Sequence, residues 1–127
     1  MFTFNSEVPH FAVVILNKVD VVFGNEARNA FNRFNKEKFY NQPLEVVNLN
    51  LDPENKLLLI GNFVNAQGAI EYLQKTKPVA GKEIIPWLKA DKYSFTIVSQ
   101  QNLDLLKSNL KLEEYRKFIE QHLPGKF

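Results

Sequence analysis

Two stretches of this chain are apolar without interruption, and they restrict the folds open to it. Pro9 precedes His10-Phe11-Ala12-Val13-Val14-Ile15-Leu16, and Lys56-Leu57-Leu58-Leu59-Ile60-Gly61-Asn62-Phe63 follows the turn Asp52-Pro53-Glu54-Asn55. Strands that show water one face alternate apolar with polar residues, so runs of this kind predict strands covered on both faces. The chain must therefore supply two layers of cover.

The remaining elements are read from their spacing. Ala27, Ala30, Phe31 and Phe34 share one stripe of a predicted helix over 25–39, and Asn25, Asn29, Asn32 and Lys36 share the opposite stripe. Pro43 precedes Leu44 to Leu51, an apolar segment broken by polar residues as suits an edge strand. Aspartate then proline at 52 and 53 are the residues a type I turn prefers, which predicts a hairpin. Asn65 is placed to cap a second helix carrying Ala66, Ala69, Ile70 and Leu73, with Pro78 beyond its end and a short helical turn over 80–85. Tyr93 to Val98 alternates and reads as an outer strand, followed by the cap Ser99 and a brief helix over 102–107. In the last helix Leu112, Tyr115, Phe118, Ile119 and His122 form the inner face, and Pro124-Gly125 stops it.

Strand, helix, strand, strand, helix, strand is the α+β, ferredoxin-like βαββαβ order, which predicts an antiparallel sheet ordered 4-1-3-2. The two continuously apolar strands then fall at its centre. Two helices cover one face. The C-terminal helices from about residue 100 are the available cover for the other, within a single domain spanning 1–127. The opening Met1-Phe2-Thr3-Phe4 reads poorly as a natural start, which suggests a domain excised from a larger protein with any targeting signal upstream.

The chemistry-bearing residues are few. There is no cysteine, so thiol catalysis, disulfides and cysteine-bound zinc are excluded. His10 and His122 stand far apart and make no His-rich metal pattern, so both read as structural. Ser6, Ser94, Ser99 and Ser108 lack a nucleophile elbow, and the five glycines form no phosphate cradle. Asp52 with Glu54 belongs to the turn, and Glu113 with Glu114 to a solvated helix face. No catalytic residue, cofactor or metal is therefore expected. A net charge of +2 is too small to draw the chain to nucleic acid, and the central strands lack the aromatic and basic residues of an RNA-binding sheet. No apolar run is long enough for membrane insertion. The candidate contact residues are Asn25, Arg28, Asn29, Asn32 and Lys36 on the first helix, and Trp87, the only tryptophan, in Ile84-Ile85-Pro86-Trp87-Leu88.

Several phrases carry a family resemblance: Ala27 to Phe39 with its Phe34-Asn35 pair, Leu57 to Phe63 followed by Ala69-Ile70-Glu71-Tyr72-Leu73, Tyr93 to Asn102, and then Tyr115 and Phe118. Together they resemble the C-terminal domain of tetratricopeptide-repeat lipoproteins of the Bacteroidota, tied to gliding motility and type IX secretion. The resemblance implies a periplasm-facing cell-envelope domain that binds proteins of the secretion apparatus, without catalysis. The repeats and lipid-attachment cysteine of that family are not in this chain. Leu59-Ile60-Gly61-Asn62-Phe63 with Ala69 and Leu73 also looks like the strand-Gly-x-Phe-helix phrase of SPOR domains, which bind peptidoglycan glycan strands, although Leu16-Asn17-Lys18 lacks the matching phrase. A third reading is a small-molecule regulatory domain of the ACT type, which uses this fold in side-by-side dimers. Nothing in the spacing or composition fixes an oligomeric state.

Overall fold

The structure is a computed structural model describing residues 1–127. Its elements are β1 (His10–Asn17), α1 (Val21–Lys38), β2 (Glu45–Asn50), β3 (Asn55–Phe63), α2 (Ala66–Val79), β4 (Tyr93–Ser99), α3 (Gln100–Asn109) and α4 (Leu112–His122). A π-helical turn (Ala80–Ile84) and a 3-10 turn (Ala90–Lys92) join α2 to β4. The sheet is antiparallel throughout with order β2-β3-β1-β4, which is the ferredoxin-like 4-1-3-2 order read from its other edge.

Register explains why β1 and β3 needed apolar residues on both faces. Val14 pairs with Leu58 and Phe95, while its neighbour Ile15 pairs with Leu57 and Ser94 on the opposite face. The Val14 face is covered by α1 and α2: Asn25 of α1 bonds Asn48, the partner of Leu58, and Lys77 of α2 lies over the Phe95 ring. The Ile15 face is covered by α4, whose Arg116 donates to Ser94 Oγ at 2.7 Å. Tyr115 is buried beside it and donates its hydroxyl to the Ile97 carbonyl at 2.6 Å. The C-terminal helices thus form the expected second layer.

That layer has a component the sequence reading missed. Residues before Pro9 run across the C-terminal helices, with Phe2 packed edge-on to Tyr115 at 5.0 Å and Phe4 stacked on His122 at 5.1 Å. The Ser6 carbonyl accepts from the Ala66 N–H, so the same segment also caps α2.

Three local expectations change. α1 begins at Val21, four residues before Asn25, because the consecutive apolar residues 21–23 mask the helical period although the turn is formed. Pro78 lies inside α2, not beyond it: the chain stays helical because Thr76, Ala80 and Ile84 are buried in succession against the core. His122 is exposed on the outside of its aromatic stack instead of on the inner face. Asn35, within the α1 motif, is buried and accepts from the Tyr72 hydroxyl at 2.7 Å. Its Nδ2 and the buried Thr76 Oγ1 have no hydrogen-bond partner.

Candidate functional site

The candidate contact residues fall on two separate surfaces. Asn25 and Lys36 are exposed, and Arg28, Asn29 and Asn32 are half-buried where α1 lies over β2. Asn25 Oδ1 accepts from Asn48 Nδ2 at 3.3 Å, which ties the polar stripe to the edge strand. Arg28 donates to Asn29 Oδ1 at 3.3 Å. Asn32 and Lys36, with Tyr40, Pro43 and Glu45, line a shallow cavity of about 370 Å³ at the same edge.

Trp87 stands on the other flank of α1. Its ring lies 5.9 Å from that of Phe23, centroid to centroid, with the planes tilted by 35°. Successive helical residues turn by about 100°, so Phe23 points about 200° round the axis from Asn25. The structure therefore brings Trp87 to Phe23 and not to the asparagine stripe. Phe23 is 52% exposed and Trp87 46%, and Val21 and Val22 in the same turn are exposed as well. Phe23 and Trp87 thus form one exposed aromatic pair, whereas Val21 points about 200° round the axis from Phe23, toward the asparagine side. The signal in the sequence was the run Val21-Val22-Phe23, three apolar neighbours that no single helix face can bury together.

The ionisable groups follow burial. His10 donates Nδ1–H to the Val8 carbonyl at 2.8 Å, and burial holds its pKa below the usual value. Burial likewise raises the Tyr72 and Tyr115 hydroxyls well above the ordinary tyrosine range. These three groups are dispersed among different elements. A polar groove of about 410 Å³ gathers Glu54, Asp91, Lys92, Glu113 and Arg116 at the outer ends of β1 and β4. There Arg116 is held by Ser94 and lies 3.3 Å from the Glu113 carboxylate, an arrangement that secures α4 to the sheet. No set of three or more histidine, aspartate and glutamate side chains is grouped to hold a metal ion, and no helix is long and apolar enough to cross a membrane.

The sheet order and the placement of α1 and α2 define a ferredoxin-like α+β domain carrying a second, C-terminal helical layer. No protein-family model, curated protein or solved structure matches the chain.

Proposed function

We propose that this chain is a non-catalytic protein-interaction domain of a cell-envelope protein, serving the type IX secretion or gliding apparatus that its sequence resemblance implies. The observation that carries the interaction reading is the Phe23–Trp87 pair, two half-exposed aromatic rings packed against each other at 5.9 Å with their planes tilted by 35°. Large aromatic side chains held in place before binding are the usual anchors of protein interfaces, since they bury much area for little lost side-chain freedom. The SPOR-like glycan reading draws less support, because the sheet face such a ligand would need lies under α4 and the N-terminal segment.

A photoreactive residue placed at position 23 in the full-length protein, crosslinked in cells and analysed by mass spectrometry, tests the reading. Adducts to envelope secretion or motility proteins are expected from position 23, with few from exposed Lys126 at the far terminus. Equal yields from both positions would count against it. So would retention on purified sacculi that glycan fragments compete away.

A further inference from the structure

The two borders of the sheet differ. At β4 the last four residues, Thr96 to Ser99, are all buried although the strand is at an edge, and α3 folds back against it. At β2 only Val46 is buried, and Glu45, Val47 and Asn50 are exposed. Natural proteins usually blunt an open edge with lysine, proline or a bulge. β2 contains neither residue, and its register with β3 runs unbroken from Glu45–Gly61 to Asn50–Lys56.

The phase of the ladder shows what this edge offers. The Leu51 N–H donates to the Asn55 carbonyl at 3.0 Å, so Leu51–Asn55 is a hydrogen-bonded pair. Antiparallel pairing alternates, so Leu49, Val47 and Glu45 also direct their backbone groups toward β3. Val46, Asn48 and Asn50 therefore direct theirs outward.

We propose that this edge pairs with β2 of a second copy of the chain, antiparallel and centred on Asn48. This register places Asn48 opposite Asn48 and Val46 opposite Asn50, so every outward backbone group meets a complementary one. On the face away from α1 it sets exposed Val47 against half-buried Leu49 of the other copy, covering apolar surface that α4 leaves open. On the α1 face the carboxamide stripe flanks the join through the Asn25–Asn48 bond. A carboxamide both donates and accepts, so this surface is complementary to its own copy. The sole charge in the strand, Glu45, lies at its end and not at the centre of the pairing. The Phe23–Trp87 end takes no part, so the dimer would present it twice.

Sedimentation equilibrium of the whole chain tests the pairing. The expected mass is twice 14.7 kDa, with Val47→Lys weakening the dimer at least about tenfold while circular dichroism stays unchanged. The chain has no cysteine of its own, which permits a register test. Directly opposed residues in a hydrogen-bonded pair lie about 5.5 Å apart at Cα, within disulfide reach, so Asn48→Cys should oxidise to a covalent dimer well ahead of Val47→Cys. Three results would overturn the proposal: a monomer at every concentration, a dimer indifferent to Val47→Lys in a folded variant, or equal oxidation at 47 and 48. A chain that stays monomeric alone, yet gains a strand from a different protein at β2, would also overturn it.

Discussion

The carboxamide of Asn102 holds the backbone of Thr3 from both sides, Oδ1 accepting from the Thr3 N–H at 3.2 Å and Nδ2 donating to the Thr3 carbonyl at 2.7 Å. Asn102 is buried at the start of α3, so one side chain substitutes for a strand partner and fixes the N-terminal segment over the second layer. Asn102→Ala should remove both bonds, strand two backbone groups and cost about 2 to 3 kcal/mol, measured by urea denaturation. Hydrogen exchange at Thr3 should accelerate far more than exchange in β1.

Phe31 and Phe34 share one apolar stripe of the sequence, and the structure separates them. Phe31 is fully buried, whereas Phe34 is half-buried at the rim of a cavity of about 480 Å³ that Lys38, Phe39 and Val79 also line. Phe31→Ala should cost about 3 to 5 kcal/mol. Phe34→Ala should cost about 1 to 2 kcal/mol, in proportion to its smaller burial. Equal losses in paired denaturation curves would contradict the assigned packing.

Burial of Tyr72 and Tyr115 predicts a loss of stability in alkali. Both hydroxyls keep their protons in the folded chain above the pH near 10 at which an unfolded tyrosine ionises. Above that pH the unfolded state holds fewer protons than the folded one, so stability present below it declines as pH rises. Tyrosinate absorbance near the melting transition should rise with unfolding, and Tyr115→Phe should flatten the decline.

His10 gives the opposite limb. Its folded pKa is held below 6.5 by burial, only partly offset by its bond to the Val8 carbonyl. Below 6.5 the unfolded state takes up a proton that the folded state refuses, so stability falls as the solution is acidified through that value. In His10→Gln this part of the pH profile should disappear, which thermal melts across the range would register.

Much of the architecture was legible in the chain because its cause is local. A strand buried on both faces must be apolar at every position, so Ala12 to Leu16 and Leu57 to Ile60 announced the central strands, and the turn at Asp52-Pro53 and the cap at Asn65 are short-range chemistry. The cap is visible as Asn65 Oδ1 accepting from the Gly68 N–H at 2.9 Å. The asparagine stripe was equally readable as a face, but only its contact with Asn48 revealed that it borders an open edge.

The sequence by itself determined the order of elements, the two central strands and the need for a second layer, because each follows from which residues must avoid water. Tertiary structure alone decided that Trp87 meets Phe23, that Asn35 is buried against Tyr72 and that Thr3 is held by Asn102. Those pairings join residues distant along the chain, and neither spacing nor propensity encodes a contact whose geometry exists only after the layers have packed.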